Sequence, residues 1–309
     1  MFISIIIPTY NRNDTLCKTI SNILLFEHQF NELIIVDQTK EHEPKTKIFL
    51  NSLINKKNIK YFFVENPNLP NARNVGINNS TGEIIIFFDD DVEINENTIP
   101  SHLSCFSKPE VGCVTGKVII INTNKNQNIV LGNSGNTKKT IKTFLFFFLR
   151  KKVSYVGRFG ILSNFSSDKI LLSDTCIGCN MSFKKDVLLK CGLFDSNYTG
   201  NAVREDTDIS VRIRKFGYSI LYHPDASIIH FMDNTGGTRS VLNENYWYKI
   251  FKNQCYFYLK NFNYSYLYIF FLHINDFLRC KKLKLKALPI FNKSYSEANN
   301  IYKNKSYEQ

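Results

Sequence analysis

Polar and apolar positions fall into short alternating units over the first third of this chain. Apolar-rich runs at 3–8, 33–36, 59–64 and 84–88 predict strands, the first and last buried on both faces. Between them, 14–25, 45–54 and a segment opening at Pro70 carry helix signals. Asn13 or Asp14 is the expected cap of the first, and Pro70 suits the first turn of the third. Strands alternating with helices predict a mainly parallel sheet with right-handed crossovers. Thr9, Asp37 and Asp89-Asp90-Asp91 each end such a run and should share one sheet edge. That edge is where open α/β sheets hold ligands.

Beyond Asp91 the pattern loosens. A helix over 97–106 and a strand over 114–121 lead into 122–143, whose Asn, Lys, Gly and Thr read as a mobile surface excursion. A strand is expected over 173–183 and a helix over 185–191. The polar turn 200–208 feeds a helix with Ile209, Ile213 and Phe216 as its apolar face and Gly217 as its stop. Two strands, 219–222 and 226–230, precede the glycine-bearing loop 233–239. From about Asn245 the chain predicts one or two helices to about Leu288, and a polar, frayed end from Phe291.

With 43% hydrophobic and 14% aromatic residues, the 309-residue chain is expected to be globular and not disordered. No apolar run reaches the roughly 20 residues of a membrane-spanning helix, and Pro8 ends an N-terminal run without a basic flank. A cytoplasmic protein is therefore expected, its eight cysteines free thiols. Only Cys176-Ile-Gly-Cys179 has metal or redox spacing; without a second such pair, these read as small buried hydrophobes. The formal charge is +12, and 111–167 holds nine Lys and Arg and no acid. Arg279, Lys281, Lys282, Lys284 and Lys286 form a second basic cluster. Such patches suit anionic lipid, phosphorylated substrates or nucleic acid. Phe144 to Lys152 sets aromatics beside three cations; it either rests on a membrane surface or is a buried segment with a solvated end.

Three consecutive carboxylates repel one another unless a cation or donors stand opposite them. At a strand end this points to a hard-metal and nucleotide site. Glu205, Asp206 and Asp208 fall in the first turn of a helix, whose dipole favours the ionised form and keeps a carboxylate available as a base.

Several separated stretches then resemble the inverting family 2 glycosyltransferases of the GT-A fold, of the bacterial surface-polysaccharide type. They are Ser4 to Arg12, Ile34-Ile-Val-Asp37-Gln38, Asn68-Leu-Pro-Asn-Ala-Arg-Asn-Val-Gly76, the aspartate cluster, Gly178 to Phe183 with Gly192-Leu-Phe-Asp195, and Glu205-Asp206. The resemblance spans about residues 3–240 and implies a Rossmann-like mixed, mainly parallel sheet flanked by helices. It implies a nucleotide diphosphate sugar donor, a hydroxyl acceptor and Mn²⁺ or Mg²⁺. Pro8, Thr9, Tyr10 and Arg12 would lie on the nucleotide-sugar side, with Thr9 and Tyr10 lining the base pocket. Asp37 would accept from the base, and Arg73 would offer its fork to base or phosphate. Asp89 would contact ribose and share the metal with Asp91 and His230, Asp90 would support them, and Arg239 would reach phosphate from a mobile loop. Asp206 matches the general base and Glu205 would stand beside it, although either acid could serve. Gln38 departs from the acid or Asn often found there, which leaves base selectivity open.

The expected organisation is a GT-A domain over 1–240, with a nucleotide-binding half 1–121 and an acceptor half 122–240, followed by a C-terminal helical extension over 241–309. The acceptor would be a saccharide or lipid-linked saccharide, with an anionic membrane surface on the inner face of the cell as a further partner. A nucleotidyltransferase is the rival, but Pro8-Thr-Tyr-Asn-Arg12 is not the glycine-rich loop it would carry. The basic balance also suggests a nucleic-acid-binding protein. An acidic site repels phosphates without metal, so no nucleic acid is expected as partner.

Overall fold

The computed structural model describes residues 1–54, 56–122, 127–131, 163–231 and 243–306. Strand β1 (Ile3–Thr9) lies between β2 (Glu32–Asp37) and β4 (Ile84–Phe88), parallel to both, and β3 (Ile59–Phe63) extends the parallel set beyond β2. Every residue of β1, β2 and β4 is buried, as expected of strands covered on both faces. The first three crossovers are α1 (Asp14–Leu24), α2 (Pro44–Ile54) and α3 (Leu69–Asn79).

The remaining described strands make the sheet mixed. They are β5 (Val92–Ile94), β6 (Val111–Asn122), β7 (Gln127–Val130), β8 (Leu171–Ser173), β9 (Asn180–Lys184) and β10 (Ser219–His230). The order is β3-β2-β1-β4-β9-β6-β10-β5, with β7 on β6 and β8 on β10. Strand β9 runs antiparallel to both β4 and β6, while β10 is parallel to β6 and antiparallel to β5. The ends of β1 and β2 meet as the pattern predicts, with Thr9 opposite Asp37; the end of β10 pairs with β5, His230 opposite Val92.

The sheet separates two apolar clusters. Ile3, Ile5 and Ile7 pack with Leu16, Ile20 and Ile23 of α1, whereas Ile6 faces Ala72 and Ile77 of α3 on the other side. Helix α4 (Thr98–Ser104) joins the first layer through Ile99; α5 (Lys185–Lys190) and α6 (Glu205–Lys215) join the second through Val187, Ile209 and Ile213. A third cluster belongs to the C-terminal helices α7 (Glu244–Phe262), α8 (Tyr266–Leu272), α9 (Ile274–Lys282) and α10 (Ala287–Ser306). It takes in Tyr198, Ala202 and Val211 from the preceding part.

Several expectations are corrected. The strand expected over 173–183 is two strands separated by the turn holding Cys176 to Cys179. The two strands expected over 219–230 are one, with an irregularity between His223 and Ile228 around Pro224, since Pro cannot donate to a ladder. Phe216 is 49% exposed, so the inner face of α6 ends at Ile213. Gln127–Val130 pairs with β6, which places an ordered strand inside the expected excursion. The frayed end from Phe291 is instead α10, in which Phe291, Ser294 and Ala298 are fully buried. Asn13 precedes α1 without a side-chain cap bond; its Oδ1 accepts from Glu43 N (3.1 Å). The eight cysteines are free thiols, and all but Cys17 are buried. The aromatic run 144–152 and the loop 233–239 lie outside the described residues.

Candidate active site

Asp89, Asp90 and Asp91 leave β4 at the edge where β1 and β2 also end. The positive charge they require comes from Arg12, buried beneath them. Its Nε lies 3.3 Å from Asp90 Oδ1 and its Nη2 3.1 Å from Asp91 Oδ2. Thr9 Oγ1 donates to Asp90 Oδ2 at 2.6 Å. Burial above all, then Asp91 alongside, still pushes the Asp90 carboxyl up to about 7. Asp90 therefore anchors the turn from inside, while Asp89 keeps a third of its side chain exposed.

The end of β10 closes on the same turn. Phe231 N donates to Asp91 O at 3.0 Å, and His230 Nε2 stands 2.8 Å from Asp91 Oδ1. Burial opposes charge on this imidazole, but Cys179 and Asp91 beside it outweigh burial and raise it to about 11. One ligand atom each from Asp89, Asp91 and His230 lie within 4.8 Å of one another. Once the imidazolium releases its proton to an arriving cation, two carboxylate oxygens and an imidazole nitrogen form a donor set that suits a hard or borderline divalent ion.

Arg73 links this group to the second acid pair. It is fully buried on α3, its guanidinium 5.8 Å from the Phe87 ring and 5.3 Å from the Phe194 ring. Nη1 pairs with Glu205 Oε1, and Nη2 stands 3.8 Å from Asp89 Oδ1 and donates to Gly178 O at 3.1 Å. Burial dominates at Glu205 and, with Asp206 adjacent, outweighs Arg73, raising the carboxyl to about 7. Glu205 Oε2 has no hydrogen-bond partner among the described residues.

Asp206 follows at the start of α6. Its Oδ1 accepts from Thr207 N (2.7 Å) and Thr207 Oγ1 (3.2 Å), and its Oδ2 from Gly178 N (3.3 Å). Gly178 is the close approach that lets these groups meet. A Cβ there would stand 3.1 Å from Arg73 Nη2 and 3.3 Å from Glu205 Oε1.

The nucleotide side differs in detail from expectation. Asp37 is fully buried, and its oxygens are engaged within the protein. Oδ1 accepts from Thr39 N (2.8 Å), and Oδ2 accepts from Tyr61 OH (2.8 Å) and faces His42 Nε2 at 2.5 Å. Pro8 and Thr9 are buried and Tyr10 is half-buried at the same edge. Gln38 ties that edge to α3, its Oε1 accepting from Asn68 N at 2.6 Å. A cavity of about 280 Å³ lined by His42, Leu50, Tyr61 and Phe63, among others, has Glu41 beside Lys40 and Lys47 in its lining but none of Asp89, Asp90, Asp91, Glu205 or Asp206. The carboxylate convergence defines the candidate site because buried like charges demand a partner, whereas that cavity presents no such demand.

The structure thus gathers Thr9, Arg12, Arg73, Asp89, Asp90, Asp91, Glu205, Asp206 and His230 from five separate stretches of chain. Arg12 and Arg73 serve carboxylates of the protein itself, and Arg239 lies outside the described residues. His42, Tyr61 and Cys179 also neighbour the site, the first two on Asp37 and the third beside His230. Of the three, the sequence marks only Cys179, by its spacing from Cys176.

The family model described as Glycosyl transferase family 2 matches residues 4–171, more than half of the chain. A poly-beta-1,6-N-acetyl-D-glucosamine synthase of Staphylococcus epidermidis is 27% identical over 228 residues, which are 72% of this chain and 48% of that protein. One of Staphylococcus aureus (strain MSSA476) is 25% identical over 226 residues, again 72% and 48%. The chain therefore spans about half the length of these curated relatives. Among solved structures, S. aureus TarS 1-349 in complex with UDP-GlcNAc superposes with a TM-score of 0.59 at 14% identity, covering 96% of this chain and 80% of that one. GalNAc-T7 with UDP, GalNAc and Mn2+ superposes with a TM-score of 0.57 at 17% identity, covering 98% and 57%. The sheet order and these neighbours identify the GT-A fold. With its acidic strand edge, its Arg73-linked acid pair and the family match over residues 4–171, the chain belongs to glycosyl transferase family 2.

Proposed function

We propose that this chain transfers a sugar, with inversion, from a nucleotide diphosphate sugar to a hydroxyl acceptor in bacterial surface polysaccharide synthesis. The observation that carries the reading is the convergence of Asp89, Asp91 and His230 at one sheet edge, joined through buried Arg73 to Glu205 and Asp206. The relatives named as poly-beta-1,6-N-acetyl-D-glucosamine synthases and the neighbour holding UDP-GlcNAc support the donor class.

Residues 1–121 would hold the nucleotide and 122–240 the acceptor, with 241–309 as a helical extension. Thr9, Tyr10 and Pro8 would border the base. Asp37, held by Thr39, Tyr61 and His42, would meet the base by accepting a further bond or by exchanging one of these donors. Asp89, Asp91 and His230 would hold Mn²⁺ or Mg²⁺, which supplies positive charge against the diphosphate as the nucleotide departs. The structural neighbour GalNAc-T7 holds Mn2+ together with UDP, which supports the metal in this reading.

Asp206 is the general base in this reading. Its two oxygens are oriented by Gly178 N and Thr207 N, so one carboxylate geometry faces the incoming hydroxyl and takes its proton as the oxygen attacks the anomeric carbon. Glu205 Oε2, buried without a partner among the described residues, would accept a hydrogen bond from a substrate hydroxyl and fix its orientation. The acceptor would be a saccharide or lipid-linked saccharide, met on the cytoplasmic side of the membrane. Among the described residues no helix is long and apolar enough to cross a membrane. The test is Asp206→Asn. Donor affinity should stay within about threefold while transfer falls on the order of 10²–10⁴-fold, the usual worth of a positioned base. Near-normal turnover would remove Asp206 from the role.

A further inference from the structure

Helices α8 and α9 are separated only by His273, and their inward positions are filled by Ile269, His273 and Cys280, all buried. Their outward positions are unusual. Leu267 (64% exposed), Phe271 (60%), Ile274 (37%) and Leu278 (55%) follow one another at intervals of four, three and four residues. That spacing puts Leu267 and Phe271 on one face of α8 and Ile274 and Leu278 on one face of α9. Leu283 and Leu288 continue the exposed apolar series into the turn before α10 and its first residues. Isolated exposed leucines need no explanation, but an ordered row of them does.

Cations border that row. Arg279, Lys281, Lys282, Lys284 and Lys286 are all exposed, and Asp276 is the one acid between Tyr266 and Ile290. Arg279 lies 3.6 Å from it. Long basic side chains can lay their stems along apolar surface and keep their charges outward. A helix with leucines and phenylalanine on one face and flanking lysines has the composition of a segment lying in a bilayer interface. Nucleic acid would use the charges but not the aliphatic row. A protein partner would have to supply a large acidic surface around an apolar groove, whereas an anionic leaflet presents both features at once.

We infer that the α8–α9 face docks this protein on an anionic bilayer, with Leu267, Phe271, Ile274 and Leu278 inserted at the headgroup boundary and the lysines of 281–286 on the lipid phosphates. The inference goes beyond the transfer reaction and does not depend on it. It places a membrane contact on described residues of the C-terminal extension.

The experiment is sedimentation of the full chain with vesicles of pure phosphatidylcholine and with vesicles containing phosphatidylglycerol. Three proteins are compared: the native chain, a Phe271→Ser/Leu278→Ser variant and a Lys281→Gln/Lys282→Gln/Lys284→Gln variant. All substituted side chains are exposed, so circular dichroism and nucleotide-sugar binding should not change. The native chain should bind the anionic vesicles and hardly bind the neutral ones. Each variant should bind the anionic vesicles at least about tenfold more weakly, and the lysine variant should also lose most of the salt dependence. Equal binding by all three, or no vesicle binding by the native chain, would overturn the inference. So would a native dimer that the serine variant converts to monomer while vesicle binding persists, since the row would then be a self-contact. Binding to single-stranded oligonucleotide with no partition to vesicles would assign the cations to nucleic acid and equally overturn it.

Discussion

Arg73 shows how much of the site rests on single side chains. Buried between Phe87 and Phe194, it compensates Glu205 and faces Asp89. Removing one partner of a buried pair strands the other charge, at a cost of about 3–5 kcal/mol. Arg73→Met should therefore lower the unfolding free energy by about that amount in denaturant titration, and Arg73→Met with Glu205→Gln should recover most of it. An additive double variant would mean the two groups do not act on each other. Gly178→Ala tests the space between the acids. Its Cβ would press on Arg73 Nη2 and Glu205 Oε1, so transfer should fall at least about tenfold with the melting temperature nearly kept. Much of this level is legible in the chain: residue type and position mark Asp89, Asp91, Glu205 and Asp206, while His230 is marked through the family resemblance alone. The partner of Arg73 was not, because Glu205 lies 132 residues away and no local pattern encodes that pairing. Asp37 was likewise marked, but not its enclosure by Tyr61 and His42, which depends on how β2, β3 and α2 meet.

At the scale of elements, the start of α6 is held by α7. Arg204, the residue before the acid pair, sits at φ 81°, a left-handed conformation that costs a non-glycine residue about 1–3 kcal/mol and persists only where the surroundings fix it. Here its guanidinium lies 5.2 Å from the Phe257 ring and 5.6 Å from the Tyr258 ring, and Nη2 donates to Tyr258 OH at 3.2 Å. One turn into α6, Asp208 meets Arg212, Lys260 and Asn261, and Lys260 also reaches Asp195, which Lys305 of α10 joins at 2.8 Å. Burial disfavours both carboxylates, yet the cations outweigh it and hold Asp195 and Asp208 below the ordinary carboxylate value of 3.8. Because the folded state binds these protons less tightly than the unfolded chain, their stabilisation is present above pH 3.8 and is lost as pH falls below it. Replacing Lys260 by Met should raise the acid-denaturation midpoint toward neutral pH and lower kcat more than it raises KM, since Asp206 shares the helix with Asp208. An unchanged midpoint would count against the network. The sheet and its first three crossovers were readable from apolar runs and turn residues. Helix α10 was not, since its buried Phe291, Ser294 and Ala298 are spaced among Asn, Lys and Ser, and only packing on α7 shows which side is inward.

The whole molecule is a GT-A sheet with its acids on one edge and a helical extension that both clamps the acid-bearing helix and presents a basic, apolar face. At that edge Arg12 and Arg73 are the cations opposite Asp90, Asp91 and Glu205, and burial raises Asp90 and Glu205 to about 7, so positive charge added at Asp89 and Asp91 would relieve the remaining repulsion. Deleting 287–309 should expose the third apolar cluster, and the shortened chain should bind a hydrophobic dye and aggregate. If it stays monomeric with an unchanged melting temperature, the extension is not part of the core. Metal-dependent donor binding at this edge is measured by calorimetric titration of UDP-, GDP- and dTDP-sugars into the native chain and into Asp91→Ala, each with and without Mn²⁺. At least one sugar nucleotide should bind the native protein with Mn²⁺ and lose about tenfold or more in affinity when either the ion or the Asp91 carboxylate is removed. Binding of equal strength in all four conditions, or of none of these donors, would contradict a metal-dependent donor site here.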